Sequence, residues 1–248
     1  MFSPASLSGG LVYHSRAWRH RHSHWAPFRK NLQEWLHASP AQSDTLLWIG
    51  ASGGYTVEPA TLAFYQQIVV IEIDPLARWV LKQRFSNSRL TFIGRDLFQF
   101  RHEQSDMMDF AHLLNRYPDA DIWFSNILGQ VPLILKKPDS DATVAALQKI
   151  ERLVQGRNWL SYHDRLSCHQ PDLQIRKTLW QSRGSAAAPA LVSHFWQSTH
   201  PLEIADHNTS CLENGRPVTY LHWSITRDQH HLIACVRNQN SKIEGLVR

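Results

Sequence analysis

The residues best placed to do chemistry are Gly50, Ala51, Ser52, Gly53 and Gly54, followed by the carboxylate of Glu72. They sit in the stretch TLLWIGASGGYTVEPATLAFYQQIVVIEIDP, where one apolar run ends in a glycine-rich turn and a second ends on an acidic residue. Glycines at such a turn let the chain reverse sharply and leave main-chain N–H groups open to a ligand. Glu72, with Ile73 and Asp74 behind it, offers two acceptor oxygens at the tip of the neighbouring strand, a pattern suited to the paired hydroxyls of a ribose. An acidic residue ending an apolar strand is costly unless it has a partner. The combination predicts a nucleoside-binding edge. A dinucleotide fold prefers G-x-G-x-x-G, which seats a pyrophosphate against a helix N-terminus, and this turn does not have that spacing.

Further polar residues follow at the ends of later apolar runs. LTFIGRDLF carries Asp96 and Leu97, ADIWFSNILGQ carries Ser125, Asn126 and Gln130, and WLSYHDRLS carries the pair His163 and Asp164. The ordered set, closed by the hairpin sequences TYLHWSIT and HHLIACVR around Arg227 to His230, resembles the class I S-adenosylmethionine-dependent methyltransferases over about Thr45 to Arg237. The resemblance implies that the Gly50 to Gly54 turn is the family's first motif, that Glu72 holds the ribose and that Asp96 lies beside the adenine. It also implies that Ser125, Asn126 and Gln130 line the methyl-transfer cleft. SNIL departs from the N-P-P-[YFW] sequence of many family members that methylate exocyclic or amide nitrogens, which lowers the standing of a base or a glutamine amine as acceptor.

Methyl transfer asks for positioning and desolvation, and for a base only when the acceptor must lose a proton. His163 is the sequence's candidate for that base, with Asp164 beside it and Asn126 and Tyr162 as orienting groups, because the C-terminal ends of parallel strands open onto the ligand crevice. The competing role for His163 is structural: adjacent residues on a strand face opposite ways, so one of His163 and Asp164 points into the core. Asp96 and Asn126 have structural alternatives too, as turn or cap residues.

The elements that must position these residues alternate as in a doubly wound sheet. The expected fold is α/β, Rossmann-like, with a mostly parallel seven-stranded sheet and a C-terminal antiparallel hairpin. An extension, 1–44, rich in basic and aromatic residues and helical, would pack on a methyltransferase-like domain, 45–248. The extension's apolar stripe Trp25, Phe28, Leu32, Trp35 and Leu36 has helical spacing, with Pro27 in the first turn. Strands are expected at Leu46–Ile49, Ile68–Ile73, Leu90–Ile93, Ile122–Ser125 and Trp159–Tyr162. Helices are expected over Tyr55–Gln67, from Pro75 to about Phe85 with Asp74 as N-cap, near Asp106–Arg116 and Thr143–Gln155, and over Asp172–Ser182. GSAAAPA, 184–190, is expected to be a flexible connection, and a basic loop with Lys136 and Lys137 lies between Pro132 and Pro138.

Composition narrows the class. The 248 residues carry a formal charge of +5, and Arg16, Arg19, Arg21, Arg29 and Lys30 alternate with His14, His20, His22, His24, Trp18 and Trp25. Such interleaving can grip nucleic acid, but a solvated basic face is the commoner outcome, so nucleic acid is disfavoured as a partner and a small molecule is expected. Only His20 and His24 share a helical face, with no carboxylate or cysteine nearby, so no metal is expected. Three cysteines without C-x-x-C argue against a disulfide framework. No apolar run of membrane-spanning length and no secretory pattern is present, so the expected location is the cytoplasm.

Two other classes share the β-turn-α-β unit. One is a non-catalytic nucleoside-binding or scaffold module, which would bind without turnover. The other is a nicotinamide-dependent oxidoreductase, opposed by the missing fingerprint and by the terminal hairpin.

Overall fold

Eleven strands and eight α-helices are placed by the computed structural model, which describes residues 10–86, 88–98, 107–135 and 140–238. Two helices come first, α1 (Gly10–His20) and α2 (Ala26–His37). An alternating series follows: β1 (Thr45–Ile49), α3 (Pro59–Leu62), β2 (Gln67–Ile71), α4 (Pro75–Arg84), β3 (Leu90–Ile93), α5 (Met108–Arg116) and β4 (Asp121–Ser125). A 3-10 turn at Leu128–Gln130 leads into α6 (Val131–Ile134), α7 (Ser140–Leu153) and the long β5 (Trp159–His169). The remainder is β6 (Gln174–Ile175), β7 (Leu179–Ser182), α8 (Ala188–Phe195), β8 (Trp196–Gln197), β9 (Ile204–Asp206), β10 (Val218–Ser224) and β11 (Gln229–Asn238). The basic loop around Lys136, Lys137 and Pro138, and the expected helix start at Asp106, lie outside the described residues.

The main sheet runs β3-β2-β1-β4-β5-β11-β10-β7, with β9 paired to β5. β1 pairs parallel with both β2 and β4, β4 parallel with β5, and β11 enters antiparallel between β5 and β10. This is the doubly wound, Rossmann-like fold with an antiparallel C-terminal hairpin. Winding reverses between β1 and β4, so a crevice opens over the C-terminal ends of those strands, the place where such sheets hold ligands. β1 is apolar on both faces because both are covered. Leu47 and Ile49 join the core beneath α5 and α7, while Leu46 and Trp48 join a second core with Trp25, Phe28, Leu32 and Leu36. Phe28 stacks on Trp223 of β10 with ring centroids 4.5 Å apart, so the N-terminal stripe closes the face over the hairpin.

Several expectations change. The crossover after β1 is one helical turn, α3, rather than a helix over Tyr55–Gln67, because Gly53, Gly54 and Pro59 interrupt it and Arg84 ties the Gly54 carbonyl instead. β2 ends at Ile71, which leaves Glu72 and Ile73 beyond the strand. β5 continues to His169 because β11 pairs along its whole length. The expected helix at 172–182 is two strands, β6 and β7, the latter paired with β10 at the sheet's edge; sheet context overrode the helical composition. With β7 and β9 the main sheet has nine strands among the described residues, two more than expected. Part of the supposed flexible connection is the start of α8.

Candidate functional site

Gly50 continues the ladder of β1 by donating to the Ile71 carbonyl, 3.1 Å, and then turns with φ +72°. A Cβ here would meet Ile127 Cβ at 2.8 Å and the Ser125 carbonyl oxygen at 3.2 Å, so only glycine brings this turn against the mouth of β4. Ser52 takes φ +50° without being glycine, a strained state that its amide helps to hold by donating to Glu72 Oε2 at 2.7 Å. The other Glu72 oxygen accepts from the Asp74 amide at 2.9 Å. Glu72 thus ties the glycine turn to the start of α4. Burial raises its pKa while the two amide bonds pull the other way. Each oxygen keeps acceptor capacity beyond its one amide bond, so the pair suits the two donating hydroxyls of a ribose diol.

Helix α1 lies over this turn. His14 Nδ1 is 2.9 Å from the Tyr55 hydroxyl and its Nε2 is 3.3 Å from Asp74 Oδ2, while Asp74 Oδ1 caps α4 at the Leu76 amide. The Tyr13 phenol reaches Ser52; burial raises its pKa, the Ser52 bond lowers it, and Tyr162, Tyr55 and Glu72 add to the rise. The crevice edge is therefore closed by two side chains of the N-terminal helix.

A second polar centre sits just beyond the end of β4, against the middle of β5 and the start of β11. Asp164 is fully buried and accepts from Asn126 Nδ2 at 3.1 Å and Gln130 Nε2 at 2.9 Å, with His231 Nδ1 2.6 Å from its other oxygen. Burial by itself would raise its pKa, but His231 first, and then the hydrogen bonds, hold it at about 2. Asn126, at φ +54°, also accepts from the Asp164 amide through Oδ1 at 2.9 Å. Gly129 is required by contact: a Cβ would lie 2.5 Å from the Asp164 nitrogen. His207 braces the same turn, with Nδ1 3.0 Å from the Gly129 carbonyl and Nε2 3.0 Å from Ser167 Oγ.

The structure divides the sequence-predicted residues. Gly50 to Gly54, Glu72 and the β4 mouth come together at the C-terminal ends of β1, β2 and β4, and Asn126, Gln130 and Asp164 form one hydrogen-bonded group. Ser125 turns away: its hydroxyl accepts from the Trp48 indole at 2.7 Å, in the core under α4. Leu97 is buried core, Ile73 is exposed, and exposed Asp96 accepts from the Phe98 amide at 3.1 Å, the turn role that competed with adenine contact. The assignment of His163 as base is corrected. It is fully buried, its Nδ1 is 2.9 Å from Ser161 Oγ, and burial lowers its pKa to about 3. His163 and Asp164 face opposite sides of β5, and the aspartate is the one at the polar centre.

Sequence reasoning missed His231, His207 and the covering pair Tyr13 and His14. HHLIACVR read only as a hairpin strand, and nothing in it places His231 beside Asp164 until β11 is known to pair with β5. His20 and His24 do meet, with ring centroids 5.1 Å apart, yet among the described residues no group of three metal-ligating side chains forms. Also among the described residues, no helix is long and apolar enough to cross a membrane. A cavity of about 590 Å³, lined by Leu36, His37, Thr61, Tyr65 and Trp123 among others, opens beside Asp44 at the start of β1, the end of the strand opposite the crevice.

No family model matches the chain, and no curated protein matches it. Solved structures do. The N-methyltransferase NodS from Bradyrhizobium japonicum WM9, in complex with S-adenosyl-L-homocysteine, is 16% identical over 86% of this chain and 89% of its own, with a TM-score of 0.43. Magnesium protoporphyrin IX methyltransferase from Synechocystis PCC 6803 is 13% identical over 93% of this chain and 90% of its own, TM-score 0.43. The amino pentose methyltransferase CalS10 from Micromonospora echinaspora is 13% identical over 91% and 96%, TM-score 0.40. Identities this low transfer no substrate and no residue role to this chain.

Proposed function

We propose that this protein binds S-adenosylmethionine at the Gly50 to Gly54 turn and Glu72 and transfers its methyl group to a small-molecule acceptor. The observation that carries the reading is the Glu72 carboxylate at the tip of β2, tied by one oxygen to the glycine turn and by the other to α4, with acceptor capacity left over on each. The bound cofactor would supply an activated methyl on a sulfonium, so the protein's work is binding, orientation and exclusion of water. Glu72 would take the ribose hydroxyls, and the turn's backbone would border the rest of the nucleoside. Asn126, Gln130 and Asp164, across the mouth of β4, would border the acceptor. Tyr13 and His14 close over the turn, so α1 must shift or repack for the cofactor to enter.

Calorimetric titration with S-adenosylmethionine, S-adenosylhomocysteine and NAD tests this. Micromolar binding of the first two and none of the third is expected. Binding of NAD alone would turn the reading toward a nicotinamide enzyme. A second reading, a non-catalytic module, is favoured by the seating of Tyr13 and His14 over the turn, and absence of binding by all three ligands would put it first.

A further inference from the structure

The protons around His231 can be counted from its neighbours. Asp164, buried and ionised, only accepts, so Nδ1 of His231, 2.6 Å from Asp164 Oδ1, carries the hydrogen. On the other side Gln229 Nε2 lies 3.2 Å from His231 Nε2. The orientation of that amide is fixed by Arg16 of α1, a pure donor 3.2 Å from Gln229 Oε1, which leaves the amide N–H facing the imidazole. A donor facing Nε2 requires a lone pair there. Two independent neighbours thus assign the same tautomer, hydrogen on Nδ1 and lone pair on Nε2.

The surroundings have spare polar capacity. Gln130 gives its amide nitrogen to Asp164 while its buried Oε1 has no partner, and the buried Trp223 Nε1, on a ring 6.4 Å from that of His231, has none either. His207, with its ring 6.3 Å away, is held by the Gly129 carbonyl and Ser167 and does not compete for Nε2.

We propose that His231 is the catalytic base for a hydroxyl acceptor, positioned by Asp164, and that the Gln229 amide holds the place at Nε2 that the acceptor's O–H takes when it binds. This rests on the methyltransferase reading above. A neutral amine attacks through its own lone pair and sheds its proton afterwards, whereas a hydroxyl oxygen becomes an adequate nucleophile only as its proton leaves, so a base with a free lone pair marks an O–H acceptor. The step balances. Nε2 takes the proton, and the O–H electron pair stays on oxygen and forms the new O–C bond. The S–C bond of the sulfonium breaks, with its electrons, to a neutral thioether. Asp164 offsets the imidazolium charge until the proton passes to water.

The test has two arms. In the cofactor-free protein, ¹⁵N NMR of labelled histidine, assigned with His231→Gln, should show hydrogen on Nδ1 of His231. In Asp164→Asn, the donors of Asn126 and Gln130 force the introduced amide nitrogen toward His231, and the hydrogen should move to Nε2. In the second arm, methylation of phenol and of 4-nitrophenol is compared at neutral pH. His231→Gln should slow phenol by roughly 10²-fold or more, and 4-nitrophenol, of which about half is already ionised, by less than about tenfold. Unchanged binding of S-adenosylhomocysteine to the variant separates catalysis from folding. Hydrogen on Nε2 in the wild type, equal losses for both phenols, or a wild type that binds cofactor but methylates neither would overturn the proposal. A wild type that binds no cofactor overturns the reading beneath it, and this proposal with it.

Discussion

The two halves of the crevice are built on opposite principles. On the β1/β2 side, Glu72 bonds the amide of Ser52, 20 residues before it, and that of Asp74, two after it, so the site is assembled from neighbouring chain and backbone groups. On the β4/β5/β11 side, Asp164 meets Asn126 38 residues away and His231 67 residues away, mainly through side chains, and its own carboxylate is fully buried. A locally built site can give way to a ligand without loosening the sheet. A fully buried carboxylate joining three strands cannot, because without its partners that charge has no water to fall back on. The first half should therefore answer to ligand, and the second to folding conditions.

Acid should produce the largest effect, chiefly through two buried histidines of the sheet, His163 on β5 and His222 on β10, which lie outside the Asp164 centre. The folded-state pKa values of His163 and His222 are depressed from 6.5 to about 3, chiefly by burial. The unfolded chain then binds more protons below pH 6.5, so stability is full above that pH and falls as pH drops toward 3, by about 4 kcal/mol for each histidine. Asp164 adds a smaller loss in the same direction between about pH 4 and 2, because its pKa is lowered from 3.8 to about 2. Urea denaturation followed from pH 8 to pH 4 checks this; a flat profile would mean that the histidines are hydrated and the core is looser than described.

Next comes Asp164→Ala, which strands the donors of Asn126, Gln130 and His231 and should cost about 3–5 kcal/mol of folding stability. Glu72→Ala should weaken S-adenosylhomocysteine binding by about 2–4 kcal/mol, as the loss of charge-assisted bonds requires, with a smaller cost in stability. If Glu72→Ala unfolds the protein as readily as Asp164→Ala, the contrast between the halves fails. Gly129→Ala, which presses a methyl on the Asp164 backbone, should cost about 1–3 kcal/mol by thermal melting. The smallest effect is expected for His14→Ala. Opening the α1 cover should speed cofactor association in stopped-flow fluorescence while leaving melting within about 1 kcal/mol; slower association would show that α1 helps to build the site instead of covering it.

What could be read in the sequence follows the same division. The glycine turn, Glu72 and the Asp74-Pro75 start of α4 lie within one short stretch, and local rules of turns, caps and strand ends were enough to join them. The stripe from Trp25 to Leu36 was legible because helical period and burial agree. The helix expected at 172–182 failed because β7 is held by pairing with β10, a partner beyond the reach of local propensity. His163 was chosen over its neighbours because a strand's alternation shows that two residues face opposite ways but not which way is inward.

By itself the sequence determined the succession of strands in the parallel half, the sharp turn after β1 and the carboxylate facing it, since these depend on residues close in the chain and on backbone sterics. The tertiary structure decided which histidine meets Asp164, where α1 lies and how β11 enters beside β5. Those outcomes depend on long-range pairing, and a strand's side chains acquire neighbours only when its partner strand and register are fixed.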